Sequence, residues 1–225
     1  MSCADSWPPQ RGQPTDHPSS PSGSDRESGP GAARGPRARR SRIRGVTASV
    51  LVVCSGNICR SPVVEAMLRG RLAGSALPSE VSSAGTIDWN ARPMADNSAL
   101  VLTEYGIDAP AHRSRKLTAD LLRAADLVIG MSREHHWAID ALAADALPRT
   151  FLLGELVRLG EAFGPRRALP LADWVAGVDA RRPANRLARP GDELDDPMGE
   201  PIESFRVMGA RADDLTTRLA ALLTT

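Results

Sequence analysis

Val50-Leu51-Val52-Val53-Cys54-Ser55-Gly56-Asn57-Ile58-Cys59-Arg60-Ser61-Pro62 packs a strand, a loop and a helix start into one short stretch. The apolar, largely β-branched run before Cys54 reads as a buried strand. Pro62 suits the first turn of a helix, where its missing N–H would have had no partner. Cys54 to Ser61 is therefore a strand-loop-helix crossing. In such a loop the backbone N–H groups turn inward, the helix N-terminus adds positive potential, and Arg60 offers a planar two-toothed donor. These are the parts of a phosphate trap. The same field favours an anionic sulfur at position 54, which is what a nucleophilic cysteine requires.

Taken one at a time, these residues have plainer readings. Cysteine is among the most buried residue types, and a Cys closing a hydrophobic strand is usually core. The filling of the loop changes the balance. Gly56 and Asn57 are residue types that tolerate positive φ, and Ser61 puts a hydroxyl where it can donate to a sulfur anion. The whole string resembles the signature loop of the low-molecular-weight protein tyrosine phosphatases, with its Cys, five residues, Arg, Ser and inner Gly-Asn-x-Cys.

The resemblance continues over about residues 46 to 225. Ser83-Ala84-Gly85-Thr86 followed by Asp88-Trp89-Asn90 is similar to the family's second strand and the aromatic wall beside its pocket. His112 to Thr118, HRSRKLT, is similar to a stretch whose histidine helps hold the loop asparagine. Asp196-Pro197 stands where the family has its general acid. The resemblance thus implies Cys54 as nucleophile, Arg60 as oxyanion binder and Asp196 as acid and base. Ser55, Gly56, Asn57, Ile58, Cys59, Ser61 and Trp89 would form the substrate site, supported by Ser83 and His112. The implied activity is hydrolysis of phosphotyrosine, or of a small aryl phosphate, through a phosphocysteine. No cofactor is expected. Asp195 is the competing acid, Asp126 reads as structural at the head of a strand, and Asp88 reads as a turn residue.

Two departures bear on specificity. Met198 and Gly199 stand where many members carry aromatic residues, which leaves Trp89 as most of the aromatic wall. The stretch at about 160 to 194 is longer than in compact members, so a remodelled lid is expected there. Within it Arg166, Arg167, Arg181 and Arg182 either steer acidic phosphopeptides or form a solvated face.

The fold class follows from alternation. Strands are predicted near 47–53, 80–84, 126–131 and 149–153, with helices near 62–73, 95–105, 117–124, 132–144 and 203–223. Continuous apolar strands separated by helices mean an α/β doubly wound parallel sheet with helices on both faces. The resemblance implies four strands in the order 2-1-3-4, a flavodoxin-like topology. Ligands in such sheets bind beyond the strand carboxyl ends, where Cys54 falls.

The chain has 225 residues, enough for one catalytic domain and a tail. Residues 1–45, crowded with Pro, Gly, Ser and Arg, have the composition of a disordered extension. The phosphatase-like domain is placed at 46–225. The basic cluster from Arg37 to Arg44 reads as a solvated leader, so no nucleic-acid partner is expected. No segment approaches the roughly 20 apolar residues that span a bilayer, and the pattern reads as a cytoplasmic protein without membrane insertion. The three cysteines do not make a secreted disulfide framework. Cys59 is either a small filler or a redox partner of Cys54. With no histidine at ligand spacing the cysteines do not complete a metal site. An arsenate reductase using an external low-molecular-weight thiol shares this fold and loop, and a phosphate-binding module without turnover is the non-enzyme alternative.

Overall fold

A computed structural model describes residues 47–108, 111–183, 189 and 191–225. The sheet is built from β1 (Ala48–Cys54), β2 (Ser79–Gly85), β3 (Leu127–Gly130) and β4 (Thr150–Leu152). All neighbours are parallel and the order is β2-β1-β3-β4, as expected. The helices are α1 (Arg60–Leu72), α2 (Asp96–Glu104), α3 (Ala119–Ala124), α4 (Arg133–Ala143), α5 (Leu153–Phe163), α6 (Leu171–Asp179) and α7 (Ile202–Thr224).

β1 is paired along both edges by β2 and β3, and helices pack on both of its faces, so its sequence has no need to alternate in polarity. Val50, Val52 and Cys54 point into the larger apolar cluster, with Val64 and Met67 of α1, Leu156 of α5, Trp174 of α6 and Leu215 of α7. Leu51 and Val53 point the other way, onto Leu122 of α3 and Ile139 of α4. α7 joins the larger cluster through Phe205, Met208, Ala212, Leu215 and Leu219, an i, i+3, i+4 stripe along one face. Full burial of each large side chain stabilises by about 1.5–3 kcal/mol. The sheet thereby fixes the carboxyl end of β1, and the loop that follows it, against a packed core.

Two elements depart from the sequence reading. The strand predicted near 149–153 ends early, since β4 stops at Leu152 and α5 begins at Leu153. Glu155 Oε2 accepts from the Leu152 backbone N–H at 3.1 Å and caps the new helix. A short apolar run suits strand and helix equally, and the spacing of Leu153, Leu156, Val157 and Gly160 carries the helical period. Part of the stretch at about 160–194, expected to be a remodelled lid, is core. α6 buries Leu171, Trp174, Val175 and Val178, and Trp174 Nε1 donates to Gly164 O at 2.9 Å. Arg166 is buried and donates from Nε to Leu223 O at 2.7 Å. The Arg182 side chain, 3% exposed, donates to Glu155 and Asp179 and lies on the Phe151 ring. These two arginines neither steer a substrate nor face solvent, because buried carbonyls and carboxylates need their donors. Arg167 and Arg181 are exposed. The expected tail at 1–45 lies outside the described residues.

Candidate active site

The loop from Ser55 to Cys59 leaves the end of β1 and feeds directly into α1. Asn57 takes φ 54°, the left-handed region that Asn tolerates better than most residues. Gly56 does not need positive φ, contrary to expectation. A Cβ there would stand 3.4 Å from Ile58 and 3.5 Å from Trp89 Nε1, ordinary contact distances, so the space at this position does not itself demand glycine. At Gly85 a Cβ would meet Ser55 O at 2.7 Å, so only glycine lets the end of β2 approach the loop. The next residues continue that approach, with Thr86 N–H donating to Cys54 O and Ile87 N–H to Ser55 O, at 3.0 and 2.9 Å.

Cys54 Sγ is 3.2 Å from the donating Asn57 N–H and 3.0 Å from Ser61 Oγ. Ser61 Oγ accepts from Asn57 Nδ2 at 2.9 Å, which leaves the serine hydrogen for the sulfur. Two donors therefore converge on Cys54 at the N-terminal end of α1, where the helix dipole also favours negative charge. Asn57 is held on every side. Its Nδ2 also donates to Ser83 Oγ at 2.7 Å, its Oδ1 accepts from Arg115 N–H at 3.0 Å, and His112 Nε2 is 2.6 Å from its carbonyl oxygen. Ser83 in turn hydrogen-bonds Glu65, which pairs with Arg69 one turn along α1. Glu65 and Arg115 were not singled out from the sequence. Their signals were the i, i+4 spacing of Ser61, Glu65 and Arg69 on one helix face, and the arginine inside His-x-x-Arg.

Arg60 is buried and reaches across the loop. Its Nη1 donates to Leu194 O at 3.3 Å and its Nη2 pairs with Asp196 Oδ2 at 2.5 Å. Its Nε is buried and finds no protein partner among the described residues. A buried guanidinium N–H without an acceptor is costly, and an anion beside the loop would satisfy it. The segment carrying Asp196 is fastened at several points. Arg158 grips Asp192 at 2.7 Å, Arg133 pairs with Glu193 at 2.6 Å, and Leu194 N–H donates to Met131 O at 2.8 Å. Met198 N–H donates to Asp196 Oδ1 at 3.1 Å and sets the turn. Asp195 has no ion pair or hydrogen bond among the described residues.

Cys54, Ser55, Gly56, Ile58, Cys59, Arg60, Trp89 and Asp196 line one cavity of about 90 Å³, together with Ile87 and Met198. Asn57, Ser61, Ser83 and His112 stand behind it. Asn57 and Ser61, expected in the substrate site, hold Cys54 and its loop rather than line the cavity, and the lining adds Ile87, whose place in the wall follows from its backbone tie to Ser55. Met198, expected as a loss of aromatic character, completes the apolar rim. Burial pushes the Cys59 thiol up to about 12, only partly offset by the Ser98 hydroxyl at 3.4 Å. Asp126 accepts from Ser49 N–H at 2.9 Å and Asp88 from Asn90 N–H at 3.0 Å, so both have the structural roles read for them.

A parallel sheet whose first strand ends in a loop with a cysteine at its floor, a buried arginine beside it and a carboxylate at its mouth has the form of a phosphate-handling enzyme. Residues 49–160 match the sequence model of the family described as low molecular weight phosphotyrosine protein phosphatase. The low molecular weight protein-tyrosine-phosphatase Etp of Escherichia coli K12 is 39% identical over 145 residues, covering 63% of this chain and 95% of that protein. A protein-arginine-phosphatase of Geobacillus stearothermophilus is 30% identical over 177 residues, 78% of this chain and 96% of that protein. The tyrosine phosphatase Wzb of Escherichia coli K30, solved with sulphate, superposes with a TM-score of 0.57 at 25% identity, covering 78% of this chain and 97% of Wzb. The chain belongs to the low-molecular-weight protein-tyrosine-phosphatase family and is a phosphatase by that membership. These relatives do not favour the reductase or the binding-only reading.

Proposed function

We propose that the protein hydrolyses phosphotyrosine in proteins, or small aryl phosphates, through a phosphocysteine on Cys54. The observation that carries this reading is the convergence of Asn57 N–H and Ser61 Oγ on Cys54 Sγ, with the unpartnered Arg60 Nε in the same loop. The sulfur attacks phosphorus in line, and the S–P bond forms as the P–O bond to the phenolate breaks. Arg60 and the loop amides stabilise the equatorial oxygens. A phosphoryl group on Arg60 competes with Asp196 for the same guanidinium nitrogen; the released carboxylate takes up a proton from solvent and, as the acid, gives it to the leaving oxygen. Asp196 then takes a proton from water as the water oxygen attacks phosphorus. The S–P bond breaks, inorganic phosphate leaves, and Ser61 steadies the departing sulfur.

The walls support an aryl substrate. Ile58, Ile87, Trp89 and Met198 offer apolar surface to a ring, and Asp196 is the only carboxylate in the lining among the described residues. We take residues 46–225 as the catalytic domain, with the stretch at about 160–194 as an insertion. The buried free thiols of Cys54 and Cys59 fit a reducing, cytoplasmic setting.

Turnover of an aryl phosphate, a phosphotyrosyl peptide and a phosphoarginyl peptide tests the reading. Cys54→Ser is expected to lower turnover by at least about 1,000-fold, because a hydroxyl lacks the thiolate's charge. Asp196→Asn is expected to slow substrates with poor leaving groups far more than activated phenols, with Asp195→Asn close to the parent. Cys54-independent turnover, or preference for the phosphoarginyl peptide, would overturn it.

A further inference from the structure

His135, in the first turn of α4, is a buried titratable side chain that the mechanism above does not use. It is 1% exposed, and its imidazole bridges the N-terminus of α4 and the phosphate loop. On one side the Ser132 backbone N–H donates to Nδ1 at 2.9 Å. A backbone amide can only donate, so Nδ1 is an acceptor. Burial first, and the Arg60 charge second, hold the imidazole down at about 3, so it is neutral at any working pH. A neutral ring whose Nδ1 accepts carries its hydrogen on Nε2. That nitrogen is 3.0 Å from Ser55 Oγ, and the serine oxygen therefore accepts. Arg60 Nη2 approaches the same oxygen at 3.4 Å, again as a donor. With donors on both lone pairs, the Ser55 hydroxyl can only donate. It meets no acceptor among the described residues, and Ser55 lines the Cys54 cavity.

We propose that His135 is a positioning residue that fixes Ser55 as a hydrogen-bond donor to an oxygen of the anion held in the Cys54 loop. This rests on the reading that the loop binds a phosphoryl group. Without the histidine the serine is free to rotate, and its hydrogen is free to turn away from the anion. Position 55 then contributes to phosphate binding through its polarity as well as its backbone.

The test uses the full chain with His135→Asn, Ser55→Ala and the double variant. Asparagine at 135 keeps an acceptor for the Ser132 N–H but cannot reach Ser55 with a donor, which separates capping of α4 from positioning. Binding of inorganic phosphate by calorimetry and kcat/KM for an aryl phosphate are read beside thermal unfolding. His135→Asn is expected to unfold near the parent temperature while phosphate affinity and kcat/KM each fall about tenfold, the order of one hydrogen bond to an anion. Ser55→Ala is expected to match it, and the double variant to be no worse than Ser55→Ala alone. Parent-like phosphate affinity in His135→Asn, or losses that multiply in the double variant, would overturn the proposal. Should His135→Asn unfold, Ser55→Ala decides alone, since an unchanged phosphate affinity there overturns it equally. A parent that binds phosphate without Cys54-dependent turnover refutes the phosphatase reading and leaves this inference to the binding data; a parent that binds none refutes both.

Discussion

Cys59 sits in the cavity wall beside Cys54, the proposed nucleophile, yet the surroundings of the two sulfurs differ. Its thiol is pushed up to about 12 by burial, while Cys54 has two donors aimed at its sulfur. The thiolate is the reactive form in both alkylation and disulfide exchange. Iodoacetamide at neutral pH, followed by peptide mass spectrometry, is therefore expected to label Cys54 and spare Cys59 in the folded protein. Comparable labelling of the two would contradict this. Of the two roles open to Cys59 from the sequence, its environment favours the filler. The contrast was not legible in Cys-x-x-x-x-Cys, because both cysteines are buried and differ in the partners the fold brings to each sulfur. The proposed nucleophile was legible, since Cys54, Asn57, Arg60 and Ser61 lie within one short stretch of the chain.

Among the elements, the junction of β4, α5 and α6 decides how the long stretch before Asp196 is used. Glu155 caps α5 and receives Arg182 from the end of α6, and the Arg182 guanidinium covers Phe151. Both side chains are nearly inaccessible, at 3% and 5%. Removing one partner leaves a buried charge without its counterion. Arg182→Ala is expected to destabilise the fold by about 3–5 kcal/mol in denaturant unfolding. kcat per folded molecule should stay at the parent level, because the residue touches no part of the Cys54 cavity. A loss under about 1 kcal/mol would mean that the pair is solvated. Arg166, Arg167, Arg181 and Arg182 read alike in the sequence, which could not distinguish the buried pair from the exposed pair. That difference rests on contacts with α5, β4 and the end of α7.

Across the whole molecule, the neutral His135 couples the active site to acid stability. Its ordinary value of 6.5 falls to about 3 in the fold through burial and Arg60, with Glu193 opposing. Between those values the unfolded chain binds a proton that the folded chain does not, so stability held in full above about 6.5 is lost as pH falls toward about 3. His135→Asn removes that proton linkage. Its Tm is expected to drop less than the parent's between about pH 7 and about pH 5, and parallel drops would show that His135 is not neutral in the fold.

The sequence alone determined the α/β class, the strand-loop-helix crossing at Cys54 and the residues of the phosphate loop. These depend on interactions a few positions apart, where periodicity and residue chemistry act locally. The tertiary structure alone decided that β4 gives way to α5 at Leu153, that α6 fills the core and that Ile87 completes the pocket wall. It also set the polarity of Ser55 through a histidine 80 positions away. Those outcomes turn on burial and on partners distant in the chain, and the energy of a buried donor or carboxylate is fixed by what the fold places opposite it.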